Sequence, residues 1–238
     1  MTETNMTTKQ KILQISYELG LSHLGSNLSC ADLLDEIYKN MDTQDKVVLD
    51  NGHAHLAHAV VMEKFGLIKS AKQNIKKYGI HCDRRGGCDV STGSLGQGIT
   101  VAVGLALADR SRTVYCLCSE GSSAEGSFWE ALRIAGEQKL DNLRLIFNAN
   151  GFNALTEVPR DPIIARINAF GWAVIKVTKE KSSFAKVPFK DALKLGKLNN
   201  IPLCIFCETN NGLPILDSVE GHYKVLSKAD YQNAAKIL

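Results

Sequence analysis

No apolar stretch in this 238-residue chain reaches the roughly 18 to 20 residues needed to cross a bilayer, so a membrane-spanning helix is not expected. A secretory leader is not expected either, because Met1-Thr2-Glu3-Thr4-Asn5 is polar and acidic where a leader begins basic and turns apolar. Charge of one sign does not dominate. The formal net charge is +3, spread along the chain. The short basic patches Lys76-Lys77, Arg84-Arg85 and 179–186 lack interleaved aromatics, so they read as solvated surface and no nucleic-acid partner is expected. There is no dinucleotide fingerprint, Walker-type loop, internal repeat or low-complexity linker. The seven cysteines do not pair evenly, which suits a reduced, cytoplasmic setting better than a disulfide framework. Cys116 and Cys118 would share one face of a strand, and Cys204 and Cys207 would point to opposite faces of theirs. The Cys204-x-x-Cys207 pair therefore reads as core filling.

What is present alternates. Helical periodicity covers about 7–20, with Ile12, Ile15 and Leu19 on one face, and a second helix runs from about 29, with Ser29 as its expected N-cap. Further helices are expected at about 54–65, 95–110, 124–138, 161–169 and 227–237, with a helix and loop across 188–200. Strand signals fall at 113–118, 143–149, 172–177 and 201–206. Strands alternating with helices predict a single α/β domain over 1–238, a doubly wound, mostly parallel sheet with helices on both faces.

Ligands of such sheets bind at the carboxyl ends of the strands. Two strands end there in oxygen-bearing, Gly-containing turns: "SEGSSAEG" after 113–118 and "NGFN" after 143–149. Glu120 and Asn150 offer hard oxygens of the kind Mg²⁺ takes. Gly121 would allow close backbone approach to a phosphate, and a helix opening near Ser123 would present N–H groups to an anion. The same residues also fit two ordinary strand-to-helix turns with exposed polar groups.

Three separated segments extend this pattern: "VVLDNGHAHLAHAVV" (47–61), "DVSTGSLGQGITVAVGLALADR" (89–110) and the corner with "EGSFWEAL" and "KLDNL". Together they resemble the cofactor-binding half of transketolases, in order and spacing, from about residue 10 to 235. That resemblance implies a thiamine diphosphate-binding fold and thiamine diphosphate with Mg²⁺ as cofactors. The family's Gly-Asp-Gly…Asn diphosphate motif falls on Ser119-Glu120-Gly121 and Asn150. By resemblance, Glu120, Asn150 and the Phe152 carbonyl would be the metal ligands. Cofactor contacts would come from His53, Gly93, Ser94, Leu95, Gly121, Ser122, Asn150 and His222. Catalytic roles would fall to His23 and His81 beside the reacting carbonyl, with His222 assisting, and Glu125 would organise its turn or meet a partner chain.

His55 and His58 match no family motif. The His53-x-His55-x-x-His58 run resembles a metal site only superficially, because residues two apart on a helix do not converge.

The family's pyrimidine-activating glutamate belongs to a second domain. The chain is therefore expected to be the N-terminal subunit of a split transketolase, active with a separate C-terminal, pyrimidine-binding subunit in a heterotetramer. It would transfer a two-carbon ketol unit from a ketose to an aldose. Ser119 and Glu120 depart from the motif, Asn148 stands where many relatives carry aspartate, and "VTKEKSS" (177–183) replaces an Asp-Gly-His-Asp-like segment. A specialised sugar phosphate or nucleotide-sugar substrate in carbohydrate biosynthesis fits these departures. The alternatives are a non-catalytic or regulatory subunit that keeps the fold, or another thiamine diphosphate-dependent lyase or oxidoreductase component.

Overall fold

Short apolar runs alternating with longer amphipathic ones become, in the computed structural model, a parallel sheet between two layers of helices. The structure describes residues 6–153, 156, 158, 161–178, 188–195, 198 and 200–238. In chain order the elements are α1 (Thr8–Leu19), α2 (Leu24–Asn40), β1 (Lys46–Leu49), α3 (His55–Lys64), α4 (Ala71–Tyr78), α5 (Gly98–Ala108) and β2 (Val114–Ser119). There follow α6 (Glu120–Ser123), α7 (Gly126–Glu137), β3 (Leu143–Ala149), α8 (Asp161–Ala169), β4 (Ala173–Thr178), α9 (Phe189–Leu193), β5 (Leu203–Glu208) and α10 (Lys228–Ile237). Among the described residues the strands form one five-stranded sheet, order β1-β2-β3-β5-β4, with every neighbouring pair parallel.

Because side chains alternate along a strand, the sheet separates two cores. Tyr115 and Leu117 of β2 pack with α1, α2 and α3, while Val114, Cys116 and Cys118 pack with α5, α7 and α8. Buried on both faces, the central strands read as continuous apolar runs. The doubly wound α/β expectation holds. All seven cysteines are buried free thiols. Cys204 and Cys207 enter opposite cores, as strand geometry required. No helix among the described residues is long and apolar enough to cross a membrane.

Local boundaries differ from the sequence reading in instructive ways. Helix α2 begins at Leu24, and its N-cap His23 sits in the left-handed region (φ 62°) without a side-chain cap bond. Ser29 is therefore interior: its hydroxyl bonds the Ser26 carbonyl and accepts from the Asn148 amide (3.0 Å). Packing of a buried helix overrides the capping signal. The helix expected to open near Ser123 is instead α6, which begins at Glu120 and is closed by reciprocal bonds between Ser119 and Ser122; α7 starts separately at Gly126. β1 and α4 were not foreseen, the first because four residues are too few to show a period. The stretch 188–200 supplies α9 and a loop, whereas 179–187, with most of "VTKEKSS" and the basic patch 179–186, lies outside the described residues.

One carboxylate joins β1 to α5. Asp50, fully buried, accepts hydrogen bonds from the backbone N–H groups of Gly96 (2.8 Å) and Ile99 (3.0 Å). A side chain at Gly98 would collide with the Asp50 backbone, since a Cβ there would lie 2.6 Å from its Cα. Replacing Asp50 by Asn turns one acceptor into an N–H donor facing N–H donors. Asp50→Asn is expected to lower stability by about 1–3 kcal/mol in urea unfolding. Asp42→Asn, on the surface, should stay within about 0.5 kcal/mol.

Candidate active site

Asn51, Ser119, Asn150 and Asn210 follow or close the carboxyl ends of β1, β2, β3 and β5, the position where ligands of open parallel sheets bind. All four line a cavity of ≈ 250 Å³. Its walls also bring together His23, His53, His81 and His222, with Gly93, Leu95, Gly121 and Phe152. Four segments far apart in sequence thus meet at one end of the sheet.

Three of the histidines form a mutual cluster. The ring centroids of His23 and His222 are 4.6 Å apart, His23 and His53 5.0 Å, and His53 and His222 5.4 Å, with Tyr223 4.9 Å from His222. A buried amide sets their backbones. Asn27 Nδ2 donates to the carbonyls of His23 (2.9 Å) and His53 (3.3 Å), and its Oδ1 accepts from the Ala57 N–H (2.8 Å). The His23 N–H donates to the His222 carbonyl (3.0 Å). Side-chain partners are hydroxyls: Ser22 Oγ at 2.7 Å from His23 Nδ1, and Ser26 Oγ at 3.2 Å from His53 Nε2.

Burial holds these rings neutral. Desolvation, then the neighbouring His222 and His81 rings, pushes His23 down to about 4. Desolvation and the other rings push His53 down to about 3. His222 is lowered by burial. A neutral imidazole has one N–H and one lone pair, so each ring can both donate and accept a hydrogen bond at pH 7.

The floor of the cavity is backbone. A Cβ at Gly121 would lie 2.8 Å from Leu95 Cδ1, so the glycine lets Leu95 lie directly on the start of α6, and a side chain there would displace it. The Asn51 Oδ1 is buried with no hydrogen-bond partner among the described residues, leaving an acceptor for a ligand's donor. Among the described residues lining the cavity there is no lysine or arginine, and Asp217 is the one carboxylate. A diphosphate there would meet neutral imidazoles and backbone amides, so its charge would need a divalent cation.

The expected hard-oxygen donors sit beside this cavity. Glu120 is buried and its Oε1 accepts from the Gly151 N–H (2.6 Å). Asn150 Oδ1 accepts from the Phe152 N–H (3.0 Å). Both groups thus converge on the 150–152 turn, and a carboxylate, an amide oxygen and a main-chain carbonyl make a donor set of the class Mg²⁺ prefers. The Gly121–Leu95 cradle, the orphaned Asn51 oxygen and this donor set fit a diphosphate cofactor with its metal.

Not every expected residue lines the cavity. Glu120 lies in the wall of an adjoining cavity with Ser123 and Arg166, which shares Asn153 with the first. Ser94 is exposed and Ser122 is committed to capping α6. Glu125 is exposed at the N-cap of α7, where it donates its N–H to Ser122. Asn148 lies in the core, binding Ser29, Cys30 and Thr209. Sequence reasoning missed Asn51, Asn210, Asp217 and Tyr223 in the wall. Asn51 was findable, because it follows a strand end and precedes a glycine as Asn150 does.

The histidine run needs a correction. His53 turns to the cavity, as expected. His55 and His58, three apart and so on one helix face, do converge: their ring nitrogens lie with the Cys82 and Cys88 thiols within 4.8 Å of one another.

A family model described as "Transketolase, thiamine diphosphate binding domain" matches residues 19–236. "Transketolase-like protein 2" of Mus musculus is 32% identical over 225 residues, covering 84% of this chain and 35% of that protein. "6-deoxy-6-sulfo-D-fructose transketolase subunit SqwG" of Clostridium sp. (strain MSTE9) is 31% identical over 197 residues, covering 72% of this chain and 71% of that one. A solved transketolase from Pichia stipitis superposes with a TM-score of 0.78 at 23% identity, over 97% of this chain and 40% of its own. The chain therefore spans about a third of the mouse relative.

The depressed His23 gives a pH signature. The unfolded ring titrates near 6.5 and the folded one at about 4, so the unfolded state binds more protons in that window. Its contribution is complete above pH 6.5 and is lost as pH falls towards 4. Urea unfolding from pH 7 to 4.5 should show stability falling more steeply in the wild type than in His23→Asn. Parallel slopes would contradict a neutral, half-buried His23.

Proposed function

The chain belongs to the transketolase family through its thiamine diphosphate-binding domain, and on that premise we propose that residues 1–238 act as the diphosphate-binding subunit of a two-chain transketolase. The observation that carries this reading is the cavity at the strand ends, where a histidine cluster faces a glycine-floored cradle. Coverage supports it as well: the relative named a transketolase subunit is matched over 71% of its own length, whereas the mouse relative is matched over 35%. A separate pyrimidine-binding chain would complete the enzyme, in a heterotetramer.

The roles follow from the chemistry of each group. Thiamine diphosphate, when bound, supplies the carbon nucleophile and electron sink for ketol transfer. His53 and the backbone around Gly93, Leu95 and Gly121 would hold the cofactor. Glu120, Asn150 and the Phe152 carbonyl would hold Mg²⁺ and so balance the diphosphate charge. His23 and His81, with His222 behind them, would donate to and accept from the hydroxyl and carbonyl oxygens of a ketose, as general acid–base groups must. The substrate class is a phosphorylated or otherwise activated sugar. The relative acting on 6-deoxy-6-sulfo-D-fructose supports a modified, anionic one.

A second reading has its own observation. The Glu120 carboxylate is engaged with the Gly151 backbone, as a purely structural residue would be in a subunit that keeps the fold without catalysis. Titrating thiamine diphosphate into the assembled complex, with Mg²⁺ and with chelator, separates the two. Glu120→Gln should weaken Mg²⁺-dependent binding and Glu120→Asp should not. A response flat to Mg²⁺ in wild type and both variants would favour the structural reading.

The purified chain alone is expected to show no ketol transfer and to gain it with the pyrimidine-binding subunit, thiamine diphosphate and Mg²⁺. Robust turnover by the single chain would refute the split. Calorimetry on the complex should find Asn150→Ala at least about tenfold weaker for cofactor, ~1.4 kcal/mol, with Asn153→Ala close to wild type.

A further inference from the structure

The first turn of α3 carries a second constellation. His55 and His58 occupy the first turn of α3, while Cys82 and Cys88 flank the 3₁₀ turn Arg84–Gly86. All four are buried, between 0% and 5% exposed. Cys88 Sγ is 3.4 Å from His55 Nδ1 and 3.7 Å from His58 Nδ1, and Cys82 Sγ is 3.9 Å from His58 Nδ1. A tetrahedral zinc with bonds of about 2.3 Å to sulfur and 2.0–2.1 Å to nitrogen holds its ligand atoms about 3.3–3.8 Å apart. The observed separations need only slight contraction.

The outer atoms of both rings are already oriented. His55 Nε2 lies 3.1 Å from Asn74 Oδ1, and that amide cannot turn round, because its Nδ2 donates to the Gly86 carbonyl (2.7 Å). Nε2 must then carry the proton, which leaves the Nδ1 lone pair aimed at Cys88. His58 Nε2 meets the Tyr38 hydroxyl at 2.6 Å, a group that can accept its N–H, and its Nδ1 faces the thiols. Outer-shell partners that fix the tautomer in this way accompany metal-ligating histidines almost always.

We propose that His55, His58, Cys82 and Cys88 form a closed, structural Zn²⁺ site, distinct from the strand-end cavity and its hard-oxygen donors. Two thiolates and two neutral imidazoles are the soft and borderline donors that select zinc over Mg²⁺. Binding releases the two thiol protons to solvent and leaves an electrically neutral centre, which can be buried without a counter-charge. Four protein ligands leave no open position, so the role is mechanical. The site ties the 79–92 loop to α3; Thr92 N–H donates to the Cys82 carbonyl (3.1 Å) and closes that loop. His81 adjoins Cys82, so the metal would also fix one wall of the cavity. This last consequence alone rests on the function proposed above.

The test reads metal and not ketol transfer. Untagged full-length chain, purified without chelator, should carry about one zinc per chain by mass spectrometry of the elements. Cys82→Ser with Cys88→Ser should reduce this to background. Asn74→Ala, which keeps all four ligands, should weaken zinc affinity about 10–100-fold. Should the double variant fail to fold, the wild type still decides: after chelation, Co²⁺ titration should give thiolate charge-transfer bands and the visible spectrum of a tetrahedral ion, saturating at about one equivalent. Wild-type chain without zinc and without those cobalt bands would overturn the proposal. So would full zinc content in the double variant, or a Cys82–Cys88 disulfide in chain isolated anaerobically.

Discussion

The Asp50 carboxylate is the constraint from which the geometry of the strand ends follows. A fully buried carboxylate costs several kcal/mol unless its oxygens are satisfied, and here both accept main-chain N–H groups from the loop that enters α5. Charge-assisted bonds of this kind are roughly twice as strong as neutral ones. They hold Gly96 to Ile99 against the end of β1, which carries Leu95 over Gly121 at the end of β2. Two strand termini and a helix start are thereby brought to one point before any ligand is considered.

The opposite wall depends on an amide. Asn27 gathers the carbonyls of His23 and His53 and the N–H of Ala57, so the first turns of α2 and α3 are joined through one side chain. The imidazoles then pack on one another and on Tyr223. Rings kept neutral by desolvation avoid the mutual repulsion that protonation would bring. The same desolvation keeps one N–H and one lone pair on each ring, ready to hydrogen-bond a ligand's oxygens. In the first turn of α3, His55 and His58 face sulfur instead of solvent, so a single helix start serves two environments of opposite chemical hardness.

Periodicity made four of the five strands and most of both helical layers legible, and motif order the histidines and the glycine turns of the cavity. The strand ends at Ser119 and Ala149 could be placed because fully buried strands appear as apolar runs that stop abruptly at polar turns. What escaped were features set by tertiary contact. Ser29 carries a capping signal, yet it is an interior residue bonded to Asn148 on a strand more than a hundred residues away. β1 has only four residues. His55 and His58 were judged with His53, two residues from His55, when the pair three apart was the one that mattered. Their partners Cys82 and Cys88 are five residues apart in the intervening sequence, wider than the two to four usual between zinc-binding cysteines. Only the fold brings the four together.

His23 shows a tension between durability and chemistry. A non-glycine residue in the left-handed region costs of order 1 kcal/mol or more, and glycine would relieve it while still presenting the N–H that binds the His222 carbonyl and the carbonyl that binds Asn27. A search for thermostable variants, blind to catalysis, would therefore be drawn to position 23 early. It would remove the imidazole on which His53, His222 and Tyr223 pack. Retaining a ring where the main chain favours none suggests a use to which a stability assay is insensitive.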